Sequence, residues 1–383
     1  MADLIVRTAG ESHGPAVVAL LEGFPAGVPV DLDRINADLA RRQGGYGRGG
    51  RMQIESDTAE VLAGVRRGRT LPGPVVLVVR NRDSRLEEAP EVTRPRPGHA
   101  DLAGALKYLD PDMRSILERA SARETAGRVA AGGLAKCLLA AFDIDVAAWV
   151  TRIGDVTAGD VPEDLAEAVR ARDASEVYCP DADATKAMMA AIDEARDAGD
   201  TLGGIVRCTA TGVPAGLGGH TQWTRKLDGR LARAVMSIQA IKGVEIGLGF
   251  EAAARPGSQV HDAIAYDADE AEGPAAGFVR PTNRAGGIEG GISNGEDIVL
   301  NVYLKPLATM GKPAVSIDIS TRRKDAAISE RSDICAVPRA GSVAEAMTAF
   351  TLAQAMVEKF GGDHIREMKR NYDGYLASLA ATD

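Results

Sequence analysis

Residues Leu4–Gly23 read LIVRTAGESHGPAVVALLEG, and the fold turns on what surrounds the central Gly10-Glu11-Ser12-His13-Gly14. These five residues fit G-x-S-x-G, the sharp turn that lifts a hydrolase serine off the end of a strand and onto the start of a helix. Such a turn needs the helix, because its free N–H groups hold the oxyanion. Here Pro15 is followed by AVVALLEG and then GFPAG, a short valine-rich run that stops at Gly and Pro. That run reads as a second strand, so the context is strand, loop, strand. A serine hydrolase using Ser12 is the weaker alternative.

Working outward, 383 residues with 45% hydrophobic content can bury a large core. The N-terminal MADLIVRTAG has no basic segment followed by a long apolar one, and no run approaches a membrane span, so a cytoplasmic location without membrane partners is expected. Cys137, Cys179, Cys208 and Cys335 form no C-x-x-C pair, and no histidine–carboxylate spacing suggests a metal. A net charge of −9 argues against nucleic acid as a partner. The arginines nevertheless cluster: RRQGGYGRGGR around Arg41, Arg42, Arg48 and Arg51; TRPRPGH around Arg94 and Arg96; ERASARETAGR around Arg119, Arg123 and Arg128; and Arg322, Arg323, Arg331 and Arg339 in the last third. Guanidinium forks on Gly- and Pro-rich segments suit carboxylate or phosphate, so the clusters point to a small polyanionic ligand.

The chain alternates strand and helix signals, an α/β (α+β) pattern. Strands are expected at 4–8, 16–21, 75–80, 204–210, 244–249, 298–304 and 314–319. Asp31 or Asp33 can cap a helix ending before Gly44-Gly45. Ser121 with Glu124, and Ser342 with Glu345, form capping-box patterns before helices ending near Phe142 and at Gly361-Gly362. Residues 154–200 are acidic and Ala-rich and read as a peripheral helical region, while 266–277 reads as a mobile loop or inserted lid. GFPAG at 23–27 and GVPAG at 212–216 echo each other, which suggests two similar halves. Gly45–Gly50 fits G-x-G-x-x-G, but it follows a helix rather than a strand, so no dinucleotide site is read there. Its glycines suit a flexible loop whose backbone approaches a ligand, with Arg48 and Arg51 as donors.

His13 and His99 both sit in loops beside these arginines rather than on an apolar helix face, where acid–base chemistry is possible. His220, His261 and His364 read as surface or structural residues.

Taken together, GESHG (10–14), RRQGGYGRGGRM (41–52), RPGHAD (96–101), RASARETAGRVAAG (119–132), GGISNGEDI (290–298) and RSDICAVPR (331–339) resemble the ordered motif set of the chorismate synthase family. The likeness runs from residue 4 to about 370. It implies a single β-α-β sandwich domain over 1–383, a homotetramer, and elimination of phosphate from 5-enolpyruvylshikimate 3-phosphate to give chorismate, the last step of the shikimate pathway, with obligate reduced FMN. A non-catalytic anion- or flavin-binding protein is the other alternative. By motif, Arg42, Arg48, Arg51, Arg96 and Arg123 resemble the substrate-anion ligands. Arg119, Ala120, Ser121, Gln239, Ala240, Gly290, the run Lys305, Pro306, Leu307, Ala308 and Thr309, and Arg331 resemble flavin contacts. His13 is assigned to the departing phosphate, His99 to a proton relay beside the flavin, and Asp333, assisted by Ser12, to accepting a proton near flavin N5. No nicotinamide site is recognisable, so NADPH enters only as an indirect reductant of flavin supplied from outside. Glu118 replaces the glycine of the common GRASARE pattern and adds a negative charge beside the flavin-contact motif.

Overall fold

The computed structural model describes residues 3–48, 56–159, 161–328 and 333–380. The opening stretch forms an antiparallel pair, β1 (Ile5–Ala9) and β2 (Ala16–Glu22), with Ser12 and His13 in the turn between them. No helix follows Ser12, so the hydrolase elbow is excluded by the backbone path.

After β2 the chain passes through GFPAG into α1 (Leu32–Gln43), whose first turn is capped by Asp31 accepting from the Arg34 N–H. Then come β3 (Ala59–Ala63), the small hairpin of β4 (Val65–Arg66) and β5 (Arg69–Thr70), and β6 (Val75–Arg80). Two short helices, α2 (Asp101–Tyr108) and α3 (Arg114–Ala120), precede the long α4 (Thr125–Leu139). The first sheet has the order β1-β2-β6-β3, antiparallel throughout.

The second half repeats this scheme. β7 (Asp145–Ile153) and its short partner β8 (Val156–Thr157) lead through α5 (Leu165–Asp173) and α6 (Ala182–Ala198) to β9 (Gly204–Thr211). GVPAG, α7 (Leu227–Met236) and β10 (Ile241–Ile246) follow. Next are the hairpins β11 (Ala265–Tyr266) with β12 (Phe278–Val279) and β13 (Ile288–Glu289) with β14 (Ile292–Ser293), and then β15 (Ile298–Leu304). The hairpin β16 (Val315–Asp318) with β17 (Arg323–Ala326), α8 (Val337–Phe360) and α9 (Ile365–Ala380) complete the chain. The second sheet has the order β10-β15-β9-β7-β8. With the extra edge strand β8 set aside, it matches the first, with β7, β9, β15 and β10 in the places of β1, β2, β6 and β3.

The echo in sequence is therefore a real duplication, and it extends to individual hydrogen bonds. In GFPAG, the Thr70 hydroxyl donates to Pro25 O and accepts from Val28 N–H; in GVPAG, the Ser293 hydroxyl donates to Pro214 O and accepts from Leu217 N–H. Both closing glycines, Gly27 (φ 81) and Gly216 (φ 96), lie in the left-handed region. A Cβ on either would strike a side chain of the C-terminal segment, His364 or Tyr375 respectively.

Helices α4 and α8 pack side by side between the two sheets, giving the three-layer β-α-β sandwich. Gly132 allows the close approach, since a Cβ there would lie 2.3 Å from Ala346 Cβ. The middle layer is buried nearly all round, as a helix pair with a sheet on each side must be. Two expectations shift here. α8 begins at Val337, with Pro338 in its first turn, so Ser342 and Glu345 lie inside the helix and form no capping box. At α4, Ser121 does accept from Arg123 N–H, but the Glu124 carboxylate turns to Thr8 Oγ1 and Arg128 instead of back to the cap. Within 154–200, α6 sends Met188 and Ile192 into the main core. Residues 266–277 lie inside the β11–β12 hairpin, which seats Pro274 O on Ala215 N–H.

Candidate active site

The first turns of α4 and α8 open into one cavity of about 570 Å³ between the two halves. It is reached from the first half by the end of α1, the 96–100 turn and the residues before α4, and from the second by Ile238–Ala240, the end of β15 and Leu307–Thr309. Two helix N-termini directed at one space favour an anion there.

Side-chain charge reinforces this. Among the described residues, Arg42, Arg96, Arg123, Lys305 and Arg339 line the cavity, against the single carboxylate of Asp333. Asp57 stands behind, shared by Arg42 Nη2 and Arg123 Nη1 at 2.5 Å each. Asp101, fully buried, takes Arg96 Nε at 2.8 Å and Nη2 at 3.0 Å and also holds His99 Nδ1. Burial would raise the Asp101 carboxyl, but these hydrogen bonds from His99 and Arg96 outweigh it and hold it well below the usual range. Asp333 pairs with Arg339. Arg42 is pushed down, first by burial and then, against the pull of Asp57, by the neighbouring Arg123 and Arg339. Arg48 is lowered by burial and by Arg339. Cations here repel one another across a space that an anion would fill.

Two buried polar atoms of the wall have no hydrogen-bond partner, Arg42 Nε and Gln239 Oε1. A donor beside a cationic cluster and an acceptor beside a backbone turn are the complements of a phosphate or carboxylate and of a ring N–H, so the residues fit a flavin nucleotide and an anionic substrate. Gln239 is anchored through Nε2 to Glu124 at 3.2 Å, and the next residue, Ala240, has φ 68, which turns its carbonyl to Lys305 N–H. Burial and then Lys242 push the Lys305 ammonium down.

The Ser12–His13 turn lies against this wall. Asn81 Nδ2 donates to the carbonyls of Glu11, Ser12 and Gly14, while its Oδ1 accepts from Arg123 Nε at 2.7 Å. Ser121 Oγ donates to Ser12 Oγ at 3.2 Å. The serine thus sits in a hydroxyl pair on the cavity wall.

Of the residues singled out by sequence, the cavity brings together Ser12, Arg42, Arg96, His99, Ala120, Ser121, Arg123, Gln239, Ala240, Lys305, Leu307, Ala308, Thr309 and Asp333. His13, Arg48, Arg119, Gly290 and Pro306 lie outside its lining. The exposed Arg119 binds the carbonyls of Thr8 and Gly10 at the end of β1, and Gly290 is the turn of the β13–β14 hairpin. Arg51 and Arg331 fall outside the described residues. The Gly44–Gly47 stretch is tightly packed: a Cβ on Gly44 would lie 2.0 Å from Tyr178 Oη, and Gly47 packs on Ile192 and Cys335. At these positions the glycines serve close approach within the protein. Arg339 is counted in the last arginine cluster of the sequence but is given no ligand there; a cap at Ser342 puts the start of α8 six residues late, and Pro338 is the available signal.

The chorismate synthase family model matches residues 4–357. The chain belongs to the chorismate synthase family. It is 55% identical to the chorismate synthase of Geobacter sulfurreducens over 387 residues, covering 98% of each chain. It is also 55% identical to that of Symbiobacterium thermophilum over 391 residues, covering 97% of this chain and 98% of the relative. A crystal structure of chorismate synthase superposes with a TM-score of 0.82 at 42% identity, over 100% of this chain and 99% of that one. The chorismate synthase fold and this cavity thus coincide in one chain. Among the described residues no helix is long and apolar enough to cross a membrane.

Proposed function

We propose that this chain eliminates phosphate from 5-enolpyruvylshikimate 3-phosphate to form chorismate, acting as a carbon–oxygen lyase with reduced FMN. The observation that carries this reading is the set of cations, Arg42, Arg96, Arg123, Lys305 and Arg339, that lines one cavity with a single carboxylate among the described residues, Asp333. A substrate with two carboxylates and a phosphate supplies the missing acceptors.

In this reading Arg42, Arg96, Arg123 and Arg339 hold the substrate anions, and Arg48 and Arg51 keep the substrate role that their motif implies. Ala120, Ser121, Gln239, Ala240, Lys305 and Leu307–Thr309 hold the flavin nucleotide. Reduced FMN, when bound, supplies the electron density that lets an unactivated C6 hydrogen depart with the phosphate. The chain's own part is orientation, exclusion of water and control of protons. His99, with Nδ1 held by Asp101, hands a proton on at the cavity wall. His13, which stands outside the cavity lining, protonates or stabilises the leaving phosphate, and Asp333, assisted by Ser12, accepts a proton. Assembly as a homotetramer belongs to the same proposal, supported by exposed Trp223, Phe250, Ile264, Tyr266 and Phe278. A cytoplasmic location and an external source of reduced flavin complete it.

The test is phosphate release under anaerobic conditions with photoreduced or oxidised FMN. Release only with the reduced cofactor is expected; equal release with both contradicts the mechanism. A fluorophosphonate should leave Ser12 unlabelled.

A further inference from the structure

The sequence leaves Glu118 as an unexplained charge next to a cofactor motif, and the structure gives it a different use. Its carboxylate does not line the cavity; its side chain is fully buried beneath the Ser12–His13 turn. Oε1 and Oε2 lie 2.8 and 2.9 Å from His13 Nδ1, and Oε2 also accepts the His13 backbone N–H at 2.8 Å. The Glu118 backbone carbonyl accepts Ser12 N–H at 3.1 Å. Arg114, one turn earlier on α3, places Nη1 3.3 Å from Oε1. Burial would raise the Glu118 carboxyl, but the hydrogen bond and charge of His13 and the Arg114 contact outweigh it and keep it low.

From this geometry we infer that Glu118 is a positioning residue for His13, fixing which ring nitrogen carries the proton and which one is presented for proton transfer. An ionised carboxylate only accepts, so a neutral His13 must carry its hydrogen on Nδ1. Nε2 is then the basic atom, and it faces the Asp83 carboxylate at 3.8 Å. The turn itself cannot rotate to offer the other face, because the His13 carbonyl accepts from the N–H groups of Arg85 and Leu86 and Asn81 ties down the residues on either side. The logic is that of a buried acid holding a catalytic imidazole in one tautomer and one orientation. The inference rests on the proposed catalytic role of His13 but is tested apart from it.

Glu118→Gln keeps the shape and offers an amide N–H to Nδ1, which permits the wrong tautomer; Glu118→Asp keeps the charge. With the full-length protein and reduced FMN, Glu118→Gln is expected to lower kcat on the order of 100-fold with KM within about twofold, and Glu118→Asp to recover part of the loss. Combined with His13→Ala, Glu118→Gln should add nothing further. The imidazole 15N resonances of His13 should report Nδ1–H in the wild type and a shift toward Nε2–H in Glu118→Gln. Wild-type kcat in Glu118→Gln alongside a slow His13→Ala overturns the inference, as does an Nε2–H tautomer in the wild type, which decides the matter even if the variant does not fold. If His13→Ala is fully active, the catalytic reading of His13 falls while the tautomer spectrum still decides what Glu118 does.

Discussion

Arg41 and Arg42 are neighbours on the last turn of α1, yet they belong to two different molecules in the electrostatic sense. Arg41 turns into the α1–α4–α8 interface, where it meets Glu345 through both Nη atoms at 2.9 and 2.8 Å and also reaches Asp38. Lys136 pairs with the same two carboxylates, and Arg172 comes within 3.5 Å of Glu345. There, burial would lower the Arg41 guanidinium, but Glu345 and Asp38 overcome it and raise it. Arg42 turns the other way, shares Asp57 with Arg123, and is lowered by burial and its cationic neighbours. Two core carboxylates, Asp38 and Glu345, close on Arg41 and Lys136, whereas at the cavity Arg42 and Arg123 divide one, Asp57, and the balance is left to a ligand.

The largest effect should come from breaking the matched side. Glu345→Ala leaves the buried Lys136 and Arg41 to share Asp38 alone and takes from Arg172 its contact to Glu345, and we expect it to lower unfolding stability by about 3–5 kcal/mol in denaturant titrations. KM of whatever remains folded should not change. The undermatched side should behave in the opposite sense. Arg42→Ala is expected to reduce kcat/KM roughly 100-fold, or about 3 kcal/mol of lost charge-assisted binding, with the unfolding midpoint unchanged or raised because Asp57 keeps Arg123. A variant of Arg42 that unfolds as readily as Glu345→Ala would erase the distinction.

Much of this was legible in sequence, and the gaps have physical causes. β6 and β15 fall on the expected residues because a run of β-branched side chains bounded by turn residues is a local signal. The expected strand at 244–249 starts three residues late, since the alternation Val244, Ile246, Leu248 runs on past Gly247, where φ 58 ends β10. Ser342 and Glu345 imitate a helix cap, but the partners that claim Glu345, on α1 and α4, lie 304 and 209 residues away, beyond any window of local pattern. The duplication left only a five-residue echo because what the halves share is backbone geometry and a hydroxyl at Thr70 and Ser293, which many sequences can supply. The motif arginines announced an anion site by type. Which of two adjacent arginines faced it was decided by contacts made across the chain.

A smaller effect sharpens the comparison without chemistry. Inorganic phosphate at about 100 times its dissociation constant should stabilise the wild type by roughly 2.7 kcal/mol, read as a rise in thermal midpoint. Arg42→Ala should lose most of that gain and Glu345→Gln should keep it, because only the first removes a cavity donor. Equal protection of both variants would mean that phosphate binds elsewhere.

The smallest effect is in the acid limb of stability. Glu345 is desolvated, which would raise its carboxyl, but Arg41, Lys136 and Arg172 prevail and depress it below its ordinary 4.5. A depressed carboxyl contributes stability that is fully present above 4.5 and is lost as pH falls through the folded value, because only the unfolded chain binds the proton in that window. Below pH 4.5 the wild type should therefore lose about 1.4 kcal/mol per pH unit more steeply than Glu345→Gln, which has no proton to take up at that position. Arg42→Ala should follow the wild-type slope, since the group that titrates lies on the other face of α1. If the acid limbs of wild type and Glu345→Gln ran parallel, the core cluster would not be the matched, charge-compensated region that sets it apart from the cavity.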